Sequence, residues 1–358
     1  MKTQKFKSIL LLGVFLGISG IWVQAQEFTK EFHEEFDANE NTTLTLQNKY
    51  GSIDVQNWDS QKIKIDVLVL VKNANSEKAE KLLSYIDVEF SSSDNSVKAI
   101  TQIDDKFSRS NNLRNDNEFE INYTVQMPKE ANLDLLNKYG HVIIDEVAGH
   151  AAIDVKYGKL TINKLSRGNV KPLNTVTLGY ANGSSISECN WLKANIKYSG
   201  LSIEKAKAIV GYTSYMKLSI AEASSVVIEG KYDGYTFGKL TNLVINTSYS
   251  GIKVEELGKK LEADTRYTGC TIKYMPESFE GININSRYGT YKIGLDEAAS
   301  YKLDGEAGYS KINYHDTGKV SKIQENNSMK VFGNVGTSEN PAAVVKVVTK
   351  YGNVSLNQ

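Results

Sequence analysis

The chain has 358 residues, with 42 lysine or arginine and 42 aspartate or glutamate residues, so its formal net charge at pH 7 is zero. A balanced charge gives no overall attraction to nucleic acid or to an acidic membrane surface, which argues against both as partners. Only 4 prolines occur beside 27 glycines and 20 tyrosines. Because tyrosine is common in β-strands, this composition favours an all-β fold.

The N-terminus has the three parts of a secretory signal peptide. Lys2 and Lys5 begin a basic segment, residues 9–23 are apolar, and Ala25 ends a segment that suits signal cleavage. We therefore predict that residues 1–25 are removed on export and that the mature protein has no membrane span. The alternative is a retained anchor, for which this apolar stretch is short. The predicted location is the periplasm, the cell surface or the medium.

Residues 26–132 predict a β-rich head. Alternating residues at 62–69 predict a strand, and Ser76 can cap a short helix whose apolar stripe ends at Ile86. Three more strands are expected, at 88–90, 97–103 and 119–125, and a polar loop at 104–118. Because the first layer of a repeat array needs to be covered, we expect this head to act as a cap.

A motif of tyrosine, two residues, an apolar residue, any residue and a second apolar residue recurs eleven times. Its tyrosines are Tyr50, Tyr139, Tyr157, Tyr198, Tyr215, Tyr232, Tyr249, Tyr267, Tyr288, Tyr309 and Tyr351. From Tyr198 to Tyr309 successive copies lie 17, 17, 17, 18, 21 and 21 residues apart. Such a period is typical of stacked units, each of which buries its apolar face against its neighbours.

One repeat predicts two short strands joined by a bend. Ile153 and Val155 alternate with polar residues, Gly158 interrupts the alternation, and Leu160 and Ile162 resume it. Stacked copies would pair as parallel strands about 4.8 Å apart. The predicted fold is therefore all-β: a single parallel β-solenoid of about eleven coils of 17–23 residues over residues 133–358, with an N-terminal β-rich head or cap that carries one short helix.

Three places in the repeat region depart from the pattern. Near Tyr180 the alternation slips, which predicts a bulge or a short loop. Near Ser328 a coil is expected in which serine takes the position of the tyrosine, and residues 334–342 predict a loop inserted before the last coil. The two cysteines, Cys189 and Cys270, lie several repeats apart, so we expect buried free thiols rather than the alternative, a disulfide.

Two segments resemble a known family. Residues 48–59 contain a glycine, then alternating residues and then a Trp-Asp. Residues 123–142 contain a predicted strand, a proline and the start of the first coil. Together with the glycine-punctuated repeats, they resemble the exported bacterial β-strand-repeat proteins called "putative adhesins", which are abundant in Bacteroidetes. The resemblance covers nearly the whole mature chain and implies an exported β-solenoid without known catalytic residues. This chain differs from the family pattern by placing tyrosine before the turn in most coils.

The tyrosine column has two interpretations. Its residues are Tyr139, Tyr157, Tyr198, Tyr215, Tyr232, Tyr249, Tyr267, Tyr288, Tyr309 and Tyr351. Strand alternation places the ring of Tyr157 on the inward face with Val155, so the first interpretation is an inward ladder that stabilises the stack. The second is an aromatic stripe that binds sugar or peptide.

A basic residue often precedes the tyrosine and is expected to point outward. The candidate binding face consists of Lys156, Lys197, Lys231, Arg266 and Arg287. Acidic or amide residues lie two positions earlier on the same face. This pattern fits a solvated face of mixed charge, in which repulsion between equal charges also discourages wrong pairing. The alternative is a stripe that binds a polyanion.

No sequence motif of a catalytic or metal site is present. The four histidines lack metal-ligand spacing, and there is no phosphate-binding loop or nucleophile elbow. We predict a non-catalytic binding scaffold or adhesin of the cell envelope or surface, without a cofactor or metal, whose partner is a glycan or a surface protein. Two alternatives stay open: a polysaccharide lyase or hydrolase, and a purely structural envelope protein that associates end to end.

Overall fold

A computed structural model describes residues 26–110, 118–316 and 319–357. The predicted signal peptide lies outside the described residues. Within them the chain forms 26 strands and two short helices, so the all-β prediction is confirmed.

The first half of the chain contains both helices and thirteen of the strands. In chain order they are β1 (Gln26–Asp37), β2 (Thr43–Lys49), β3 (Ile53–Asn57), β4 (Lys62–Asn73), α1 (Ser76–Leu83), β5 (Ile86–Ser93), β6 (Ser96–Ile103), α2 (Asp105–Ser110), β7 (Glu118–Met127), β8 (Asn132–Lys138), β9 (Val142–Val147), β10 (Ala151–Lys156), β11 (Leu160–Leu165), β12 (Asn174–Gly179) and β13 (Ser184–Lys197). The second half continues with β14 (Gly200–Ser214), β15 (Lys217–Lys231), β16 (Gly234–Ser248), β17 (Gly251–Arg266), β18 (Gly269–Met275), β19 (Gly281–Arg287), β20 (Tyr291–Leu295), β21 (Tyr301–Gly308), β22 (Ile312–Asn313), β23 (Val320–Glu325), β24 (Ser328–Val335), β25 (Ala343–Lys350) and β26 (Val354–Asn357).

Each repeat contributes one strand segment that ends just before its tyrosine and one that begins just after it. In β14–β17 a single strand runs from one tyrosine to the next and contains a segment of each kind. We call these two sets the pre-tyrosine row and the post-tyrosine row. Strands of a row pair in parallel and in register with the same row of the neighbouring repeat, as Ile203 does with Ile220 and Ile220 does with Phe237. Because side chains alternate along a strand, this register lines equivalent residues into columns on the two faces of each row.

The inward columns form one continuous core. The two apolar positions after each motif tyrosine are buried in ten of the eleven copies, with Ile220 and Phe237 fully so. The exception is Tyr314 in the copy after Tyr309, which is only half-buried. Cys189 and Cys270 are both buried and free, as predicted. Burial raises the pKa of both thiols to about 12, which disfavours the nucleophilic thiolate at neutral pH.

The last repeat does not occupy the end of the stack. Strand β25 pairs in parallel with β19 on one side and with β21 on the other, so it lies between two repeats that precede it in the chain. The expected coil near Ser328 is wrong, because β24 runs antiparallel to β21 and covers it. Strand β23 then pairs antiparallel with β24, so the pre-tyrosine row ends in an antiparallel pair.

The stack begins at the repeat of Tyr50, on the N-terminal side of the predicted boundary at residue 132. Strands β2 and β3 pair in parallel with β8 and β9. The intervening strands then cover this first repeat: β6 pairs with β2, and β7 pairs with β3. Strand β5 then pairs antiparallel with β6, β4 pairs antiparallel with β7, and β1 pairs antiparallel with β4. Both rows are therefore covered at this end.

The predicted helix of the head is present but is capped by a different residue. It spans Ser76–Leu83, and the side chain of Asn75, not that of Ser76, accepts a hydrogen bond from the amide of Lys78. Ala79 and Leu82 are fully buried, and the helix packs on β4 and β1. The predicted loop at 104–118 instead contains the helix Asp105–Ser110, and residues 111–117 lie outside the described residues.

Candidate binding face

Twelve tyrosine rings form an unbroken column along the corner between the two rows, which we call the tyrosine ladder. Neighbouring ring centroids are 4.7–5.2 Å apart and the ring planes differ by only 4–20°. Their spatial order is Tyr50, Tyr139, Tyr157, Tyr180, Tyr198, Tyr215, Tyr232, Tyr249, Tyr267, Tyr288, Tyr351 and Tyr309. At one layer of strands per step, the ladder is roughly 50 Å long.

The rings of the ladder point outward, so the prediction of inward-pointing rings is wrong. Tyr157 is 48% exposed and Tyr309 is 59% exposed. Alternation of side chains holds only while the backbone stays extended, and every ladder tyrosine has a positive φ, from 50° to 67°. This left-handed residue breaks the alternation and turns the ring toward solvent.

Backbone hydrogen bonds hold the ladder in register. Except for Tyr309, the last in the stack, the amide of each ladder tyrosine donates to the carbonyl oxygen of the residue before the next tyrosine in the stack. Tyr232 donates to Ser248 and Tyr249 donates to Arg266, both at 2.9 Å. Because this bond repeats along the corner, the rings are spaced by the distance between strands, which is also a stacking distance.

Two kinds of contact recur in the turns that follow the tyrosines. In the first kind, glycines stack so tightly that a Cβ atom on Gly140 would overlap the carbonyl of Gly51. In the second kind, a hydroxyl side chain connects neighbouring corners: Ser199 Oγ accepts from the amide of Ala181 at 3.0 Å and donates to the carbonyl of Lys197 at 2.7 Å. Both contacts join one corner to the next, by close packing in the first kind and by hydrogen bonds in the second.

Stacking covers the faces of the rings and leaves their edges and hydroxyls in solvent. None of the twelve ladder hydroxyls hydrogen-bonds to another of the described residues, whereas the buried Tyr235 and Tyr291 hydroxyls bond to Thr213 and Thr265. At one end the face of Tyr50 is covered by the edge of Phe119. The ladder therefore presents a line of aromatic edges and unoccupied hydroxyl donors.

The predicted basic residues lie in one outward column beside the ladder. In spatial order, the residues before the ladder tyrosines are Lys49, Lys138, Lys156, Gly179, Lys197, Ser214, Lys231, Ser248, Arg266, Arg287, Lys350 and Gly308. From Lys156 to Arg266 every second layer therefore carries glycine or serine. The small residues separate the cations and reduce the repulsion expected of a continuous basic column.

Most of the central cations have no acidic partner in the described part of the chain. Among those residues, no ion pair within 4.0 Å involves Lys197, Lys231, Arg266 or Arg287. Lys156 does pair with Asp154, at 3.3 Å and with both side chains partly exposed. Direct ion pairs within the described residues therefore do not neutralise these four cations.

A groove of about 880 Å³ lies where the basic column meets the ladder. Its lining includes the cations Lys156, Lys197 and Lys231, together with Tyr157 and neighbouring ladder rings. The small residues Gly179 and Ser214 also line it. The groove brings together the two features that the sequence predicts as separate candidate sites.

A second concavity, of about 460 Å³, lies farther from the ladder on the pre-tyrosine row. Val227 and Val244 are exposed there beside Tyr212. Glu229 and Asp264 lie at its polar margin. This surface is smaller and includes no member of the basic column.

The histidine, cysteine and acidic side chains of the described residues do not gather into a metal site. No group of three or more histidine, cysteine or acidic side chains within them could hold a metal ion. His33 makes a 2.7 Å contact through Nδ1 with Asp66 on the exposed face of β1. No helix in the described part of the chain has the length and apolar character needed to span a membrane.

Sequence reasoning missed one member of the ladder and the alternation of the column. The turn after Tyr180 contains an extra residue, with Gly183 at φ +73°, so Ser184 and Ile186 take the inward positions. The motif therefore skipped Tyr180 although its ring stacks like the others. Comparing the residue before every tyrosine, including Tyr180, would have revealed the alternation.

The structure is similar to solved structures described as adhesins and to one described as a lipid binding protein. A "putative adhesin" from Parabacteroides distasonis has 12% identity, with 76% of this chain and 98% of that chain covered and a TM-score of 0.34. A "putative adhesin" from Parabacteroides merdae has 12% identity, coverages of 93% and 97% and a TM-score of 0.32. A "putative lipid binding protein" from P. distasonis has 9% identity, coverages of 92% and 97% and a TM-score of 0.32.

Two of these descriptions name the same family that the sequence motifs resemble. No family model matches the chain. No curated protein matches it either.

Proposed function

We propose that this protein is a non-catalytic binding scaffold, exported to the cell envelope or surface, and that its stacked repeats form a two-sided β-solenoid. The proposed binding surface is the tyrosine ladder together with the basic column beside it. The observation that carries the proposal is the line of twelve stacked tyrosines, eleven of them exposed, whose hydroxyls bond to no other described residue.

The choice of residue at the corner supports this surface. A left-handed backbone costs a side chain other than glycine or asparagine about 1–2 kcal/mol. An aromatic pair recovers about 0.5–1.5 kcal/mol. Stacking thus offsets much of the conformational cost of tyrosine in the left-handed backbone. Glycine at the same position would not incur that cost and would need no ring to offset it. Retaining tyrosine at all twelve corners places a regular chemical surface in solvent, which a purely structural turn does not require.

Two features favour binding over the alternatives. A glycosidase or lyase concentrates acidic and basic side chains in one groove, whereas the outward acids here are distributed along the stack. End-to-end association needs open strand edges at the ends of the stack. Here β5, β4 and β1 extend the two rows with antiparallel pairings at the N-terminal end, and β24 and β23 do so for the pre-tyrosine row at the other end, so these ends do not present the parallel edge of a repeat.

The direct test removes three rings while keeping residues that tolerate the left-handed backbone at the corners. Tyr198, Tyr215 and Tyr232 are replaced together by asparagine, which tolerates a left-handed backbone. The control is Tyr274→Asn, which removes an exposed tyrosine of the post-tyrosine row outside the ladder. Both proteins are applied in mature form to a glycan array and to an overlay of envelope extract.

We expect the triple variant to lose the binding of the wild-type protein, while Tyr274→Asn keeps it. Circular dichroism and thermal melting must first establish that both variants are folded. Equal binding by the folded triple variant and the wild-type protein would rule out the ladder as the binding surface.

A further inference from the structure

We propose that the ligand of this face is a linear acidic polysaccharide that lies along the stack, with its acid groups two sugar residues apart. This inference rests on the proposed function, because it names the ligand class of the same surface. The spacing of the cations, the exposed part of the rings and the lack of ion pairs to these cations among the described residues support this ligand class.

The spacing of the cations sets the period of the ligand. Between Lys156 and Arg266, cations alternate with Gly179, Ser214 and Ser248 in successive layers. Neighbouring cations are therefore two layers apart, roughly 10 Å. One sugar residue of an extended β-linked chain advances about as far as one layer. A polymer with one carboxylate or sulfate per disaccharide thus places each acid group opposite one cation.

The exposed part of the rings selects for anions and hydroxyl groups. An aromatic ring is electron-rich on its faces and electron-poor at its edge. Because each ring between the two ends of the ladder is stacked on both sides, only its positive edge and its phenol hydroxyl are available. Sugar hydroxyls and carboxylates can accept from these donors. Nucleic-acid bases would need ring faces for stacking, so the ladder does not suit them.

The location of the charges places the polymer between the basic column and the ladder. Lys197, Lys231 and Arg266 have no ion pair within the described residues, so their charges are available. The acids Glu229 and Asp264 lie two residues before the cations, on the side away from the ladder. Glu229 also lines the groove of about 880 Å³, so the acid groups of the polymer are repelled from it toward the cations and the rings on the ladder side of that groove.

The experiment measures binding of the mature protein to five defined polymers at several salt concentrations. Hyaluronan carries one carboxylate on every second sugar, polygalacturonate carries one on every sugar, and dextran is neutral. Poly-L-glutamate and single-stranded DNA are polyanions without sugar acids. We expect the tightest binding to hyaluronan and none to dextran, and affinity should fall as salt rises because ionic contacts are screened.

The variant replaces Lys197, Lys231 and Arg266 by glutamine. We expect hyaluronan affinity to fall by about tenfold or more, since three charge-assisted contacts are lost, and the salt dependence to become shallower. The control replaces Lys205, Lys253 and Lys292, three exposed lysines of the post-tyrosine row, by glutamine. It removes the same charge from the other row and should bind as the wild-type protein does.

Each contrary outcome has a distinct meaning. If poly-L-glutamate or DNA binds as tightly as hyaluronan, or if the control triple weakens binding equally, the polysaccharide assignment is overturned. If dextran binds as well as hyaluronan and the asparagine variant of the ladder abolishes that binding, the ligand is neutral and the proposed function stands. If no polymer binds while the glycan array or the extract does, only the ligand class is wrong.

Discussion

The rings of Tyr288 and Tyr351 are stacked with centroids 4.9 Å apart, although another repeat separates the two residues in the chain. The amide of Tyr288 donates to the carbonyl oxygen of Lys350 at 2.9 Å, the same bond that joins the corners elsewhere in the ladder. The final strand pair is therefore inserted into a stack that the preceding repeats leave open. The C-terminal repeat therefore lies between two other repeats and is not the outermost layer of the stack.

The first prediction follows from this insertion. Val347 in β25 is 1% exposed and Val348, its neighbour, is 53% exposed. We expect Val347→Asp to destabilise the protein by more than about 3 kcal/mol, because an unpaired charge would be buried between two repeats. Val348→Asp should melt close to the wild-type temperature. Similar melting of the two variants would contradict the insertion of this strand.

The period and parity of the strands were predictable because both depend on local alternation. The inward columns at Ile220 and Val254 follow from the tyrosine motif alone, and both residues are buried. The order of the last repeats was not predictable, because repeats with the same motif present equivalent strand edges. The motif therefore does not indicate which repeats pair with each other. The pairings of β25 with β19 and β21 and of β24 with β21 give this order, and each joins segments that are distant in the chain.

A second prediction tests the inward columns. Replacing Ile220 or Val254 by aspartate should lower the thermal melting temperature sharply, because each side chain is at most 1% exposed. The matched controls are Ser219→Asp and Lys253→Asp, which place the same charge one residue earlier on the outward face. Loss of stability in the controls but not in the core variants would reverse the assignment of the two faces.

A third prediction separates the two kinds of glycine at the corners. Gly140→Ala should destabilise the protein strongly, since its Cβ would overlap the backbone of Gly51 and force two repeats apart. Gly251→Ala should have little effect, because no other atom lies within 4 Å of the added Cβ. Urea unfolding of both variants measures the difference. A Gly140→Ala variant as stable as Gly251→Ala would mean that the corners are less tightly stacked.

The outward direction of the ladder could not be read from alternation. The prediction for Tyr157 assumed an extended backbone through the tyrosine, and its φ of 55° invalidates that assumption. A glycine or serine after most of the tyrosines indicated a bend but not which residue takes the left-handed conformation. The stacking of Tyr180 on Tyr157 was hidden for a related reason, because the extra residue in its turn shifts the apolar positions by one.

A fourth prediction concerns pH and the head. The hydrogen bond to Asp66 raises the pKa of His33 above its ordinary 6.5, with a smaller contribution from Glu31. Although partial burial opposes it, hydrogen bonds from His33 and Lys64 lower the pKa of Asp66 below its ordinary 3.8. The stabilisation from His33 is complete below pH 6.5 and is lost as pH rises through its raised pKa. That from Asp66 is present above pH 3.8 and is lost as pH falls through its lowered pKa.

An NMR titration checks this pair directly. The pKa of His33 should lie above 6.5 in the wild-type protein and fall toward 6.5 in Asp66→Asn. Asp154→Asn removes an acid from the repeat stack and serves as the control, in which His33 should titrate as in the wild-type protein. An unchanged His33 titration in Asp66→Asn would show that the contact does not persist in solution.

The last prediction tests the balance between backbone cost and ring stacking at one corner. Tyr232 has a φ of 60° and stacks on Tyr215 and Tyr249 at 4.8 and 5.0 Å. Tyr232→Ala and Tyr232→Gly both remove these contacts, but only glycine adopts a positive φ without cost. The alanine variant should therefore be less stable than the glycine variant by about 1 kcal/mol, although alanine is usually the better residue in folded segments. Thermal and urea unfolding of the two proteins measure the difference. An alanine variant that is more stable than the glycine variant would mean that the corner abandons the left-handed conformation once the ring is gone, and that stacking itself imposes it.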